Sequence, residues 1–398
     1  MPDGVEPVRE RSGRVFMEGD GRAMKKDLNN EGYHLKESEI MAGTSDFRDG
    51  AFAFITEGTV ALRELGNYGV ANPIPDGESA ITALVAGPGL KKIYGATSGL
   101  KSHLFYYDPS PAAEHVVDIG IVGENSECRS LMRDGDGRIY GVVNPGGRLF
   151  RYAPQGEFSV LWRSQTNEIE FLEISAGEDI AAAVLDPGTA RIFGLTRHSS
   201  VLFEMDIEKQ GLTRIREIEK AGNSNALAFD GRGAVFGSSR NGHFFRWEIS
   251  SRSFEILDLQ LPSPKGMEFL NYLDSAAVTS DGILFGGTTL GTVFRLDVRD
   301  LGLVGYGRPL ADHRIRAVVP GKDGRIYGAA GSPGKNSHLF RLDPRTGEVK
   351  DLGIPMVHFP RNWICYDISA LAAGPNGEIY IGESERVSHL MIYYPPAG

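Results

Sequence analysis

A repeat of 42 to 53 residues constrains the fold of this chain more than any other feature. Seven short apolar segments, most ending in glycine, share one pattern: KIYG at 92–95, RIYG at 138–141, RIFG at 191–194, AVFG at 234–237, ILFG at 283–286, RIYG at 325–328 and EIYI at 378–381. Each is followed by a second apolar segment: HLFYYD at 103–108, RLFRYA at 148–153, VLFEMD at 201–206, HFFRWE at 243–248, TVFRLD at 292–297, HLFRLD at 338–343 and HLMIYY at 389–394. This period is typical of propeller blades and too long for most helical solenoids.

One repeat shows how each unit folds. Residues 325–353 read RIYGAAGSPGKNSHLFRLDPRTGEVKDLG and contain the second, third and fourth strands of one unit. Pro344 presets φ and Gly347 supplies positive φ, so the stretch 343–347 predicts a tight turn between two strands. With the Asp323-Gly324 hairpin signal before it, the unit predicts a four-stranded antiparallel meander. The fold class is therefore all-β, a seven-bladed β-propeller.

The two ends of the chain predict how the ring closes. The last repeat stops at Tyr394 without a fourth strand, whereas TVALREL at 59–65 is a strand without a repeat of its own. We expect this N-terminal strand to complete the last blade, which would remove an open sheet edge. The predicted domains are a polar leader at 1–50 and a propeller at 51–398.

Composition excludes some functions and says little about compartment. The chain of 398 residues carries a formal net charge of −10, which argues against general binding of nucleic acid. No stretch is apolar enough for a membrane span or a signal peptide, so we expect a cytoplasmic protein, or a secreted one whose signal has been removed. Cys128 and Cys365 form no metal or redox motif and predict buried free thiols. We expect a monomer.

Sequence motifs do not identify a chemistry. HExxH, CxxC and G-x-S-x-G are absent, and DGDG at 134–137 lies where other repeats have hairpin turns, which favours a turn over a calcium site. Four of the nine histidines, however, begin the third strand of their repeat: His103, His243, His338 and His389. One interpretation is a structural feature of the repeat, and the other is a set of acids, bases or ligands on the loop-rich face.

Aligned first strands predict a ring of side chains near the channel. The aligned positions are Thr82, Arg129, Ala181, Asn225, Asp274, Arg316 and Ser369. Arg129 and Arg316 stand where other repeats are small or neutral, and paired guanidinium groups suit a carboxylate or sulfate. The alternative is a pair of arginines that bind acidic side chains between blades. Further basic residues lie in loops of the same face, among them Lys101, Arg197, His198, Arg314 and Arg386.

A long loop at 354–367, IPMVHFPRNWICYD, adds basic, amide and aromatic groups to this face. Such a mixture fits a sugar subsite, and a hydrophobic plug under the loop is the alternative. The side chains that we expect to bind substrate, beside Arg129 and Arg316, are Arg148, Asn225, His243, Arg361, Trp363 and His389.

The repeat G-x-I-Y-G followed by H-L-F-R-x-D-P-x-T-G-x-V-x-D-L-G resembles that of seven-bladed propeller polysaccharide lyases, which act on ulvan, oligogalacturonate or rhamnosyl-glucuronate, and of the streptogramin lyases. The resemblance covers roughly residues 59–394. It implies β-elimination next to a uronate, with Arg129 and Arg316 on the carboxylate. His103 or His338 would be the base, and Tyr366 or Tyr272 the proton donor.

The predicted function is therefore a carbon–oxygen lyase that acts on a uronic-acid saccharide at the loop-rich face. The expected partner is an acidic oligo- or polysaccharide, and neither nucleic acid nor membrane. No cofactor is required by the sequence, although a divalent Ca, Zn or Mn ion would be compatible with it. Two alternatives stay open: a non-catalytic propeller that binds a glycan or a protein, and a glycoside hydrolase that cleaves next to glucuronate.

Overall fold

The structure, a computed structural model, describes residues 26–27 and 54–65, then 74–154 apart from 88, 90 and 110–115. It further describes 169–396 apart from 312–313, 333–334, 359–361 and 386. The predicted leader at 1–50 lies outside the described residues except for Lys26 and Asp27.

The described residues form β-sheets and three short 3₁₀ turns. In chain order, the first strands are β1 (Lys26–Asp27), β2 (Thr59–Glu64), β3 (Ala80–Ala86), β4 (Ile93–Tyr107), β5 (Val116–Arg133), β6 (Ile139–Asn144), β7 (Arg148–Tyr152) and β8 (Ile169–Ser175). The next two groups of four are β9 (Ile180–Asp186), β10 (Arg191–Thr196), β11 (Val201–Asp206) and β12 (Gly211–Glu217), then β13 (Ala228–Phe229), β14 (Ala234–Ser238), β15 (His243–Glu248) and β16 (Ser253–Gln260).

Two further groups of four follow: β17 (Leu273–Val278), β18 (Ile283–Thr288), β19 (Val293–Asp297) and β20 (Gly302–Gly307), then β21 (Arg314–Pro320), β22 (Ile326–Ser332), β23 (Lys335–Asp343) and β24 (Glu348–Gly353). The last strands are β25 (Met356–Val357), β26 (Trp363–Ile364), β27 (Ile368–Ala373), β28 (Ile379–Glu383) and β29 (His389–Tyr394). The 3₁₀ turns span Ala221–Asn223, Arg240–Gly242 and Glu268–Leu270.

These strands confirm the predicted all-β propeller of four-stranded antiparallel blades. Four sheets, β9–β12, β13–β16, β17–β20 and β21–β24, follow the predicted meander, each strand pairing with the next. β2 is the outer strand of the sheet β2-β29-β28-β27, where it pairs with β29 from Thr59 opposite Tyr394 to Glu64 opposite His389. Backbone groups of β1 pair with β20, which extends that sheet to five strands.

The predicted count of seven separate blades is wrong, because the described residues form six blade sheets. The first two predicted repeats share one six-stranded sheet, β3 to β8. The two repeats share a sheet because residues 98–102, which correspond to a loop in other repeats, pair with residues 123–127. β4 and β5 are therefore continuous from the first repeat into the second. Buried side chains nevertheless form seven apolar clusters in the described chain, each with members from two successive repeats.

A β-bulge recurs near the start of the innermost strand of the blades. In β5, Cys128 lies opposite Val143 and Ser130 opposite Val142, so Arg129 is the extra, unpaired residue. The same register shift leaves one residue unpaired in five other innermost strands: Thr82, Ala181, Asp274, Arg316 and Ser369. Bulges of this kind redirect a side chain out of the pleat. The ring of residues aligned from sequence is therefore largely a ring of bulges.

Candidate functional site

The innermost strands line a central channel. A cavity of about 500 Å³ lies between them, and its lining includes five of the six bulge residues: Thr82, Arg129, Asp274, Arg316 and Ser369. In the remaining blade with a bulge, Ala182 lines the cavity beside the unpaired Ala181. Asn225, predicted for the same ring, lines it as well. The structure thus brings Arg129, Asn225 and Arg316 together, as expected.

The two predicted arginines differ in how strongly other groups hold them. Arg316 Nη2 donates to Ser369 Oγ at 2.8 Å and lies 3.6 Å from Asp367 Oδ2, which ties two neighbouring blades together. Arg129 Nε lies 2.5 Å from Glu127 Oε1, and 45% of its side chain is exposed. Arg129 is therefore open to a ligand, whereas Arg316 has the contacts expected of an arginine that braces two blades.

Asp274 joins further residues to this ring. Its carboxylate accepts hydrogen bonds from Arg314 Nε at 2.7 Å and Nη2 at 2.5 Å, and from Asn225 Nδ2 at 2.7 Å. The side chain of Asp274 is 2% exposed, and its two oxygens face the guanidinium of Arg314 and the amide of Asn225. These bonds join three successive repeats at the channel. They also hold the pKa of Arg314 above its ordinary value, since they stabilise the charged form.

The guanidinium of Arg197 is held by uncharged partners. Its Nη2 donates to Asn225 Oδ1 at 3.1 Å and its Nη1 to Gly222 O at 3.4 Å, both uncharged partners. Within the described chain it makes no ion pair. Burial lowers its pKa, and the charges of Arg129 and Arg314 lower it further, whereas the charges of Glu127 and Asp179, which form no ion pair with it, oppose this shift. We name Arg129, Arg197, Arg314 and Arg316 the arginine mouth.

The four histidines of the third strands do not line the channel. His103 is buried between two carboxylates, with Nδ1 3.0 Å from Asp118 Oδ2 and Nε2 2.9 Å from Glu78 Oε2. His338 Nδ1 lies 3.1 Å from both Asp351 oxygens. Carboxylates therefore hold both histidines in place, and neither histidine is among the residues that line the cavity.

His389 and His243 also have hydrogen-bond partners, a carboxylate for His389 and uncharged groups for His243. His389 Nδ1 lies 3.2 Å from Glu383 Oε2, and its ring meets that of Trp363 edge-on with centroids 4.2 Å apart. His243 Nδ1 lies 3.3 Å from Leu257 O, and its Nε2 lies 2.8 Å from Gln260 Nε2. Arg148 is exposed at the start of its strand.

The loop at 354–367 is anchored by a buried acid. Glu383 is fully buried and accepts hydrogen bonds from Trp363 Nε1 at 2.9 and 3.0 Å, from the backbone of Tyr366 at 3.3 Å and from His389 N at 3.1 Å. Trp363 thereby packs against the apolar cluster under the loop, as the plug interpretation predicts. Tyr366 is 39% exposed. Arg361 lies outside the described residues.

The two predicted proton donors, Tyr366 and Tyr272, lie in different places relative to the channel. Tyr366 precedes Asp367, which lies near Arg316 of the arginine mouth. Tyr272 is buried and its hydroxyl donates to Phe269 O at 3.1 Å, away from the cavity lining. Sequence reasoning counted Arg197, Arg314 and the exposed His198 only among outlying loop residues, because nothing in a loop sequence shows how far it folds over a channel.

Two classes of feature are absent from the part of the chain that the structure describes. No group of three or more His, Cys, Asp or Glu side chains is arranged to hold a metal ion there. The described helical turns also include none long and apolar enough to cross a membrane.

Comparisons with known proteins extend the description of the fold. No protein-family model matches this sequence, and neither does any curated protein. Among solved structures, a streptogramin B lyase superposes with a TM-score of 0.63 at 11% identity, over 84% of this chain and 97% of its own. Virginiamycin B lyase from Staphylococcus aureus gives 0.62 at 10% identity, over 85% and 100%.

The same architecture is shared with proteins of other kinds. The WD40 repeats of RRP9 superpose with a TM-score of 0.55 at 13% identity, over 85% of this chain and 99% of that one. At such identities the likeness shows the fold alone. The chain is therefore a β-propeller of the kind seen in the streptogramin B lyases.

Proposed function

We propose that the arginine mouth binds the carboxylate of an acidic ligand at the loop-rich end of the channel. The observation that carries this proposal is Arg197, whose guanidinium is half-buried at the mouth and bonded only to neutral oxygens. A partly desolvated guanidinium whose hydrogen bonds go only to neutral oxygens gains from an arriving anion, and its planar fork fits a carboxylate. Arg129, with nearly half of its side chain exposed, is the second group that can reach the ligand.

We propose carbon–oxygen lyase chemistry on a uronic-acid saccharide as the activity. A guanidinium on the carboxylate makes the neighbouring C–H bond more acidic, a base removes that proton, and the C–O bond to the next sugar breaks. His198, exposed and adjacent to Arg197 in the chain, is our candidate base, and Tyr366 our candidate proton donor. The streptogramin lyases show that this fold supports lyase chemistry, which favours the proposal.

A non-catalytic propeller that binds an acidic glycan is the second candidate. It is favoured by His103, His338 and His389, whose side chains are buried against carboxylates and leave few bases near the channel. A glycoside hydrolase acting next to glucuronate would instead release reducing ends without forming an unsaturated sugar.

Binding tests the proposed site directly. We expect acidic oligosaccharides, measured by isothermal titration calorimetry, to bind with an affinity that Arg197→Gln lowers by about ten- to a hundredfold, since a charge-assisted bond contributes roughly 1.5–3 kcal/mol. Arg197→Lys should restore only part of the affinity. Arg299→Gln is the matched control, because Arg299 is an exposed arginine that pairs with Asp297 in the turn after β19.

Absorbance of unsaturated uronates during incubation distinguishes the activities. Growth of that absorbance, abolished by His198→Ala, supports the lyase. Binding without absorbance or reducing ends supports the glycan-binding propeller. Acidic saccharides that bind equally well to the wild type and to Arg197→Gln would overturn the proposed site.

We also propose that residues 51–398 form one domain closed by the strand at 59–65. The pairing of β2 with β29 supports this, as does an apolar cluster that contains Ile81 and Ile93 of the first repeat with Tyr380 of the last. Slow amide hydrogen exchange at residues 60–64, comparable with that of β28, is the expected result.

A further inference from the structure

A rigid loop next to the arginine mouth presents apolar side chains to solvent. Met267, Phe269 and Leu270 are 39%, 59% and 47% exposed, which makes three of the ten large apolar side chains exposed in the described chain neighbours in one turn. We call these three side chains the apolar lip. Folded proteins rarely expose adjacent large apolar groups unless the surface binds something.

The exposure of the apolar lip is built into the loop. Asn271 is fully buried and its Nδ2 donates to Pro262 O at 2.9 Å, while Thr289 Oγ1 donates to Leu270 O at 2.8 Å. The Tyr272 hydroxyl donates to Phe269 O at 3.1 Å. Because hydrogen bonds from three buried or anchored groups fix its backbone, the turn cannot simply fold its apolar side chains inward.

The lip is continuous with the arginine mouth. Leu273 O accepts a hydrogen bond from Asn225 N at 2.9 Å, and the next residue, Asp274, binds Arg314 and lines the channel. Asp274 is the fifth residue after Phe269, which limits the distance between their Cα atoms to about 18 Å even for a fully extended chain. A single ligand of moderate size spans such a distance.

We infer that the ligand of this face is an amphipathic carboxylate, with its anionic end at the arginine mouth and an aryl or alkyl group on the apolar lip. This inference rests on the proposed function and narrows its substrate class. The argument is complementarity: guanidinium groups at the channel match an anion, and an exposed phenyl ring beside a leucine matches an apolar group. A chain of hydroxylated sugars alone would leave the lip unmatched.

Three small probes separate the two contacts: glucuronic acid, an aryl β-glucuronide and the corresponding aryl β-glucoside. We expect the aryl glucuronide to bind the wild-type protein about tenfold more tightly than glucuronic acid, the gain from burying roughly 55 Å² of apolar surface. Phe269→Ser with Leu270→Ser should abolish this difference and leave the affinity for glucuronic acid unchanged. Arg197→Gln should weaken both acids by the same factor.

Ile256→Ser is the matched control, because Ile256 is 47% exposed on an outer strand away from the lip. The melting temperature should be unchanged in the Phe269→Ser, Leu270→Ser variant and in Ile256→Ser, because all three side chains are exposed. Equal binding of the two acids by the wild type would overturn the inference and leave the proposed carboxylate site standing. Failure of both acids to bind would overturn both.

Two other results would also refute the inference. Binding of the neutral aryl glucoside as tightly as the glucuronide would show that the lip acts without the arginines. A dimer, seen by light scattering and lost in the Phe269→Ser, Leu270→Ser variant, would show that the lip is covered by a second copy of the chain.

Discussion

Gly328 lies opposite Phe340 on neighbouring strands, with the phenyl ring lying over the glycine so closely that a Cβ atom there would overlap it. Five other repeats have the same arrangement: Gly95 with Phe105, Gly141 with Phe150, Gly194 with Phe203, Gly237 with Phe245 and Gly286 with Phe294. The glycine of the I-Y-G segment and the phenylalanine of H-L-F are thus one packing device, repeated around the ring.

Gly328→Ala should therefore destabilise the protein. The added methyl group would force the buried Phe340 ring out of its position, and overpacking of this kind costs about 1–3 kcal/mol. Chemical denaturation monitored by circular dichroism measures the change. Gly211→Ala is the control, since a Cβ atom at Gly211 would have no neighbour within 4 Å. Equal stability of the two variants would show that the ring moves aside freely.

Asp274→Asn should be among the most damaging single substitutions at the channel. The amide keeps the shape but loses the charge that the two nitrogens of Arg314 contact, and leaving a charge unpaired in a buried site costs about 3–5 kcal/mol. Denaturant midpoints measure the effect. Asp136→Asn, at an exposed pair with Arg138, should cost less than about 1 kcal/mol. A similar cost for both substitutions would mean that Asp274 is not a brace.

His103 should make stability depend on pH. Burial disfavours the imidazolium, but hydrogen bonds and charges of Asp118 and Glu78 outweigh it and raise the pKa of His103 above its ordinary value of 6.5. Because the folded-state pKa is the higher one, the stabilisation is fully present below about pH 6.5 and is lost as the pH rises through the folded-state pKa.

His103→Gln tests this dependence. The loss in melting temperature relative to the wild type should be larger at pH 6 than at pH 9, as measured by differential scanning calorimetry. His358→Gln, at an exposed histidine bonded to Asn362, provides the reference for a solvent-facing imidazole. A loss that does not vary with pH would show that His103 is neutral in the folded protein.

Glu383→Gln should loosen the loop at 354–367. The substitution replaces one acceptor oxygen with an amide that cannot accept from Trp363 Nε1, and an unsatisfied buried donor costs about 1–3 kcal/mol. We expect the fluorescence of Trp363, isolated by comparison with Trp363→Phe, to shift to longer wavelength. Glu385→Gln is the control, because Ser388 forms hydrogen bonds with the backbone N and O of Glu385 and not with its carboxylate. An unchanged spectrum would contradict the anchoring role.

Periodicity predicted most of the fold because the repeat fixes several features together. Three signals predict the same strands: the alternation of apolar residues, the turn at 343–347 and the glycine under each aromatic ring. Alignment of the first strands also placed Arg129, Asn225 and Arg316 at the channel, and all three line its cavity. The fused sheet of the first two repeats escaped prediction, since nothing in Ser98–Ser102 distinguishes a loop from a paired strand.

The sequence analysis did not identify the acidic partners of His103 and His338. Asp118 and Asp351 each precede an apolar residue and a glycine in the fourth strand, 15 and 13 residues after His103 and His338. That paired spacing is a signal that favours a structural histidine, and it is readable from the sequence. Arg197 offered no such signal, because its importance depends on which groups its guanidinium contacts in the folded chain, the Gly222 carbonyl and the Asn225 amide oxygen.

The bulges at the start of the innermost strands allow side chains at the channel to differ between repeats while the backbone pairing of each blade stays the same. A bulge residue is the one member of its strand that has no partner in the ladder, so its side chain can change without disturbing the hydrogen bonds on either side. The six bulge positions around this channel already hold threonine, arginine, alanine, aspartate, arginine and serine on nearly the same backbone. Asp274 and Arg316 already brace neighbouring blades, so charge and size can change on one unaltered scaffold at the positions whose side chains make no such contact, such as Arg129 and Ala181.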